Sequence, residues 1–295
     1  MHLQNNRFRH FSYCLRFGGV LILTALIAGL GGILLHEFLD LIEYLVFGHG
    51  ETSTTQAVSS KQFILIVLAG IISAILWCFL QRKNRQIISV KSQMKAENPA
   101  SRIPKLWIHL TNIFLQVASV GAGSPIGKEG APRELGALGA GRVSDYLKLT
   151  LQDRELAIAC GASAGLAAVY QVPVASIFFA FETLGLGISV LNLISVLVTT
   201  ILASIVAGVV ISDAPLYETA QVTLDVKTAL LAMFLVVLIS PIAQLFRRLT
   251  QKAQAQKTTD HNVLWCLPLT FLLLASLSLI FLRFWEMAQL GTSCL

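Results

Sequence analysis

Apolar runs of membrane-spanning length recur along this chain, and they constrain its fold more than any other feature. A helix needs about 20 consecutive apolar residues to cross the hydrocarbon core of a bilayer. Runs that approach or exceed this length occupy residues 17–47, 62–80, 191–211, 228–246 and 264–284. Of the 295 residues, 55% are hydrophobic and 13% are charged, about half the charged share of a typical soluble domain. The sequence therefore predicts one all-α integral membrane domain over residues 1–295.

The basic residues indicate how this domain is oriented. The net charge is +6, and the basic side chains cluster at the N-terminus and in short loops at residues 81–105 and 247–257. Cytoplasmic loops carry an excess of Lys and Arg, so we expect residues 1–16 to be a cytoplasmic N-terminus and 48–61 an outer loop. We expect a multi-pass protein of the plasma or inner membrane, with the lipid bilayer and not a nucleic acid as its partner.

Weakly hydrophobic segments interrupt this pattern in the middle of the chain. Residues 106–120 are apolar but too short to cross the bilayer as an upright helix. Residues 156–187 are rich in Gly, Ala and Ser, and Pro173 breaks them. Small residues let membrane helices approach closely, and short segments interrupted by Gly or Pro are typical of broken helices at a site within the membrane. We therefore expect broken, tilted helices here.

Four charged residues lie between these two segments, in "VGAGSPIGKEGAPRELGALGAGR" at 120–142: Lys128, Glu129, Arg133 and Glu134. The stretch is not a nucleotide-binding P-loop, because Ala122 stands where the first glycine belongs and Glu129 where the magnesium-binding hydroxyl belongs. A structural loop outside the bilayer with solvated charges is one alternative. The density of glycine favours another, in which the backbone comes close to a ligand.

That other alternative is an anion site at a helix start. A helix that begins near Glu129 or Gly130 would direct free backbone N–H groups and about half a positive charge toward the glycine-rich loop. Pro132 and Glu134 suit a first helical turn. Irregular backbone at membrane depth is tolerated where it lines a polar cavity. Glu129 could itself occupy such a site as a competing anion, and its protonation or displacement would open the site.

These motifs resemble the ClC family of chloride channels and proton-coupled chloride transporters. "GSPIGKEGAP" is similar to the family motif G-(K/R)-E-G-P, and "CGASAGLAAVYQVPVASIFFAFETL" is similar to the downstream alanine-rich helix with its turn and acidic end. The resemblance covers essentially the whole chain. It implies a ClC-type fold in which residues 17–212 form the first of two inverted repeats and 213–295 an incomplete second. It also implies transport of chloride or another small anion by a homodimer, without a cofactor or a metal.

The resemblance assigns roles to particular residues. Glu129 falls on the gating glutamate of the family. The residues expected at the anion-binding helix start are Gly127, Lys128, Gly130 and Ala131. The family also supplies a serine hydroxyl from an upstream loop, and two weak counterparts exist here. Ser89 in "QIISVKSQ" lies at the matching distance, whereas Ser101 in "ASRIP" has the better motif but lies too close to Glu129.

The candidate proton route departs from the family pattern. Many exchangers of the family end the later segment with two glutamates, the second of which lines the internal proton route. This chain has Glu182 followed by Thr183. Threonine carries no proton at physiological pH, so the sequence favours passive conduction over proton exchange. A shifted alignment in which Glu182 is the proton-carrying residue is the alternative.

The sequence leaves more than one function open. The second repeat of the family supplies another anion-binding helix start and a tyrosine hydroxyl, and no G-x-F-x-P motif for them occurs here. We expect a truncated family member, either as the N-terminal portion of an anion pathway or as a non-conducting chain that associates with another ClC-like subunit. An enzyme is not expected, because no catalytic triad, metal cluster or carboxylate pair stands out. His109, on an otherwise apolar helix, is expected to be a packed or interfacial residue.

Overall fold

The computed structural model describes residues 2–48, 60–81, 87–95, 105–124, 127–211, 225–255 and 263–292, and no β-strand occurs within these ranges. The helices are α1 (His2–Phe47), α2 (Ser60–Gln81), α3 (Val90–Met94), α4 (Leu106–Gly121), α5 (Gly130–Tyr146), α6 (Leu151–Tyr170), α7 (Pro173–Phe178), α8 (Val190–Ala207), α9 (Val226–Ala255) and α10 (Val263–Thr292). A π-helical turn, Phe179–Thr183, continues α7. The predicted all-α fold is confirmed.

Helices α5 and α6 form the centre of the molecule through backbone contact. A Cβ atom added to Gly136 would overlap the carbonyl oxygen of Gly161, and one added to Gly165 would overlap that of Pro132. Ala137, on α5, is completely buried. Small residues at such positions let helix backbones approach closely, so the small-residue pattern of the sequence is what brings α5 against α6.

Helix α1 packs against this centre along its own small residues. A Cβ atom at Gly32 would lie 2.9 Å from the Cβ of Ala168 on α6. One at Gly29 would lie 2.7 Å from Val206 on α8. Further along α1, Leu35 packs with residues of α4 and α5 in a cluster that includes Leu39, Ile113, Val117, Ala131 and Leu138. Helix α1 therefore buttresses both α4 and α5.

The later helices are less enclosed. Helix α10 packs on α2, where a Cβ atom at Gly70 would lie 2.7 Å from Phe271. Helix α9 differs, since none of its apolar stretch Val226–Lys252 is buried by other described parts of the chain. Within the described ranges, the side chains of α9 are exposed along nearly the whole length of the helix.

The structure bears out most predicted spans and corrects two boundaries. Helices long and apolar enough to cross a membrane include Tyr13–Phe47, Gln62–Leu80, Val190–Ala207 and Val226–Lys252. The sequence predicts a loop for the basic segment 247–257. This prediction is wrong as far as residue 255, because α9 continues through it. The N-terminal segment 1–16 is helical from His2 onward, and α10 extends the predicted run 264–284 to Thr292. The predicted outer loop 48–61 lies mostly outside the described residues.

Candidate anion site at the start of helix α5

The start of α5 lies where the sequence predicts it. The helix begins at Gly130, and Glu129 is its N-cap residue, with φ −75° and ψ −23°. The Glu129 side chain makes no capping hydrogen bond to the helix. The N–H groups of a first helical turn have no partner within the helix, so those of Gly130 and Ala131 are left uncapped by Glu129. Such amides are the donors that bind anions.

The carboxylate of Glu129 folds back over the loop that precedes the helix. A Cβ atom added to Gly127 would overlap this carboxylate, and both residues are solvent-exposed. Only a residue without a side chain leaves room for the carboxylate in this position. The acidic group therefore lies on the loop side of the helix start, and its role as a gate stays a prediction.

The two basic residues of the stretch are directed at aromatic rings. The Nζ atom of Lys128 lies 5.7 Å from the ring centroid of Tyr170. The guanidinium of Arg133 lies 5.3 Å from the ring centroid of Phe179. Arg133 Nε also donates a 2.7 Å hydrogen bond to the carbonyl oxygen of Glu129. Cation–π contacts of this kind are attractive, and they connect the helix start to the end of α6 and to the π-helical turn.

Glu134 does not lie where the sequence predicts it. It was expected at the N-terminus of the helix, but it lies in the second turn, where it is 8% exposed. His109 Nδ1 lies 2.6 Å from its Oε1 atom, and Asn112 Nδ2 donates to its Oε2 atom over 2.8 Å. Gln116 Nε2 donates to the same Oε2 atom over 3.1 Å. The carboxylate is thus bonded to one face of α4.

His109 is packed, as expected, but the sequence interpretation missed its partner. It is fully buried, and it belongs with Asn112 and Gln116 to a polar stripe on the otherwise apolar α4. Their spacing of three and four residues places them on the same helical face. That stripe, together with a glutamate near the start of the next helix, is the signal that could have revealed the cluster.

The remaining residues of the predicted helix start have distinct environments. A Cβ atom at Gly130 would lie 2.5 Å from Gln116 Oε1, so the amide of Gln116 presses against the first residue of α5. Ala131 is 2% exposed, and its side chain faces the apolar cluster around Leu35. Ala131 can therefore contribute only its backbone N–H to a ligand.

Ser89 lies at the start of α3, and its hydroxyl is used locally. It accepts a 3.2 Å hydrogen bond from the N–H of Ser92 as the N-cap, and the two hydroxyls lie 2.8 Å apart. Helix α3 is held near the start of α6 by Arg154, whose NH1 atom donates to the carbonyl oxygen of Gln93 over 3.0 Å. The role of Ser89 in anion binding stays a prediction, and Ser101 lies outside the described residues.

Glu182 and Thr183 lie at the end of the π-helical turn, and both are exposed. The turn follows α7, which begins at Pro173 after a break at Gln171, whose φ of 53° is left-handed. The predicted broken helix is thus confirmed. The turn also lies beside the start of α5, because the guanidinium of Arg133 lies over the ring of Phe179, the first residue of the turn.

Comparison with known proteins identifies the family. The family model described as "Voltage gated chloride channel" matches residues 69–293. This chain belongs to that family.

Individual relatives agree with this assignment. A voltage-gated ClC-type chloride channel ClcB from Yersinia pseudotuberculosis is 28% identical over 192 residues, covering 61% of this chain and 46% of the relative. A ClcB from Escherichia coli K12 is 38% identical over 100 residues, covering 34% of this chain and 24% of the relative. The matched part of the chain thus spans about half the length of the Yersinia relative and about a quarter of the Escherichia coli relative.

A solved structure shares the fold. The crystal structure of a slow cyanobacterial Cl⁻/H⁺ antiporter superposes with a TM-score of 0.68 at 19% sequence identity. The match covers 90% of this chain and 64% of the antiporter chain. The ClC-type fold predicted from the sequence is therefore confirmed, and this chain is an integral membrane protein.

Proposed function

We propose that this chain forms part of a ClC-type pathway for chloride or another small anion across the membrane. The first-turn N–H groups of α5 hold the anion, and Glu129 is the gate. The observation that carries the proposal is the Glu129 carboxylate, which folds over Gly127 beside an uncapped helix start. The function is transport and not catalysis.

The physical basis is competition between two anions for one site. A helix start carries about half a positive charge and unpartnered N–H groups, so it attracts whichever anion is nearest. While Glu129 is ionised and folded back, a chloride ion must compete with it. Protonation of the carboxylate removes this competitor, so anion flux should rise as the pH falls.

Passive conduction is the proposed mode of transport. In the favoured alignment the position for an internal proton carrier is Thr183, which has no titratable group at physiological pH. Its neighbour Glu182 is exposed at the end of the π-helical turn, and the alternative in which it carries the proton predicts coupled exchange. The similar proteins include both chloride channels and a Cl⁻/H⁺ antiporter, so both modes exist on related chains.

Replacement of the gate tests the proposal. In liposomes containing the purified chain, Glu129→Gln should raise chloride efflux at pH 7.5 by about tenfold, which corresponds to removing about 1.4 kcal/mol of competition. The flux should also lose the part of its pH dependence that comes from protonation of Glu129. Glu37→Gln, at an exposed position of α1, is the matched control and should behave like the wild type. A Glu129→Gln variant with unchanged flux and pH profile would contradict the gate role.

A second candidate function is association with another ClC-like subunit without conduction by this chain alone. The observation that favours it is α9, whose apolar side chains are exposed along Val226–Lys252. A protein partner could cover this helix, as could lipid. Chloride efflux from liposomes that contain only this chain distinguishes the two, because the second candidate predicts none until the partner is added.

A further inference from the structure

A buried ionisable pair lies directly behind the proposed anion site. His109 on α4 and Glu134 on α5 are 0% and 8% exposed, and their side chains meet at 2.6 Å. We infer that this pair is a proton-binding site whose protonation raises the affinity of the α5 start for anions. The inference rests on the proposed function and assigns to that site a second titrating element besides Glu129.

The hydrogen bonds define the resting charge of the pair. The backbone N–H of Ile88 points at His109 Nε2 over 3.4 Å. A backbone amide can only donate, so Nε2 accepts, and Nδ1 carries the proton that it donates to Glu134. The other oxygen of Glu134 accepts from Asn112 and Gln116. Neutral imidazole and an acceptor-only carboxylate leave one net negative charge buried in the membrane domain.

The groups bonded to this charge are neutral. A chain of hydrogen bonds leads from His109 through Ile88 and Gln93 to the cation Arg154. The guanidinium of Arg154 is paired with Asp145 over 2.7 Å. Leucines of α1 pack against the neighbouring part of α4 and α5. From α2, the indole N–H of Trp77 donates a hydrogen bond to Asn112. The charged side chains nearer the helix start are Lys128 and Glu129, which precede α5, and Arg133 on α5 itself.

The buried charge lies close enough to the helix start to oppose anion binding. Glu134 follows Gly130 by four residues, which is about 6 Å along a helix axis. At a separation of about 8 Å and an effective dielectric constant of about 20, repulsion between two negative charges lowers affinity by at least about tenfold. Uptake of one proton by the pair removes that repulsion, so proton and anion binding favour each other.

Gln116 provides a second, geometric connection. Its Nε2 atom donates to Glu134, and its Oε1 atom lies against the Cα of Gly130. A protonated Glu134 becomes a donor and needs an acceptor. The Asn112 amide presents its NH₂ group to Glu134 and its oxygen to the indole N–H of Trp77 at 3.2 Å, so a flip that offered the oxygen to Glu134 would break the bond to Trp77. Rotation of the Gln116 amide supplies this acceptor. The Gln116 oxygen then faces Glu134, and the Gln116 NH₂ group faces the helix start.

The test separates this pair from the gate by working in the Glu129→Gln background, where residue 129 no longer titrates. Chloride binding to the purified chain in detergent is measured by isothermal titration calorimetry between pH 5.5 and 8. The Glu129→Gln chain should bind chloride more tightly as the pH falls. Adding Glu134→Gln should raise the affinity at pH 8 by about tenfold and make it independent of pH. Adding Ser144→Ala instead, at a buried neutral position of α5, should preserve the pH dependence.

Each other outcome has a definite meaning. If the Glu129→Gln chain binds no chloride at any pH, the proposed anion site is wrong and this inference is overturned with it. If it binds chloride but Glu134→Gln changes neither the affinity nor the pH dependence, only the inference about the pair is overturned. If Glu134→Gln does not fold, His109→Gln takes its place in the same background. The midpoint of the pH dependence must then move, and an unchanged midpoint overturns the inference.

Discussion

At the scale of single residues, Gly127 determines where the Glu129 carboxylate can lie. A Cβ atom at position 127 would overlap that carboxylate. We therefore expect Gly127→Ala to displace the gate although Glu129 itself is intact. Chloride efflux from liposomes should rise several-fold at pH 7.5, toward the level of Glu129→Gln, because the competing anion no longer lies over the loop.

Gly18→Ala is the control for this substitution. A Cβ atom at Gly18, on α1, would meet nothing within 4 Å, so the exchange adds the same methyl group without a steric effect. Flux in that variant should match the wild type. If Gly127→Ala retained the wild-type pH profile, the folded-back carboxylate would have no part in gating.

At the scale of helices, the contact between α5 and α6 sets the position of the site. A Cβ atom at Gly136 would overlap the backbone carbonyl of Gly161, which cannot move aside as a flexible side chain could. Gly136→Ala should therefore separate the two helices and cost about 1–3 kcal/mol of stability. A lower thermal unfolding temperature in detergent would report this. Gly187→Ala, where space is open, should leave that temperature nearly unchanged.

The sequence predicts those parts of the site that depend on local rules. The start of α5 follows from the glycines, Glu129 and Pro132, because caps and first turns are decided by neighbouring residues. The close packing of α6 likewise follows from its own small residues. The partner of Glu134 could not be predicted in this way. The polar stripe of α4 marks a face that needs a polar partner, but which side chain of α5 meets it depends on how the two helices are positioned against each other.

Helix α9 illustrates a second limit of sequence patterns. The basic segment after residue 246 was expected to be a loop, because loops beside membrane spans are rich in Lys and Arg. The helix instead continues to Ala255. Lys, Arg, Gln and Ala are all good helix formers, so the loss of hydrophobicity marks where the membrane ends but not where the helix ends.

At the scale of the whole molecule, the distribution of basic residues predicts the orientation in the membrane. Cys14 is exposed near the N-terminus, in the segment expected to be cytoplasmic. In a variant that keeps only Cys14, a membrane-impermeant maleimide should label inside-out vesicles and spare intact cells. A variant that keeps only the buried Cys160 should be labelled in neither. Labelling of Cys14 from the outside would reverse the proposed topology.

The mode of transport is also a property of the whole molecule. If conduction is passive, a chloride gradient across liposomes should create a voltage without driving protons, because Thr183 cannot relay them. An interior pH indicator should then stay constant while chloride flows, and Glu182→Gln should change neither signal. Proton movement that follows the chloride gradient and disappears in Glu182→Gln would establish exchange through Glu182 instead. The His109–Glu134 pair does not alter this expectation: a proton that only binds and leaves from one side makes anion affinity depend on pH, whereas exchange requires a path for the proton to both sides.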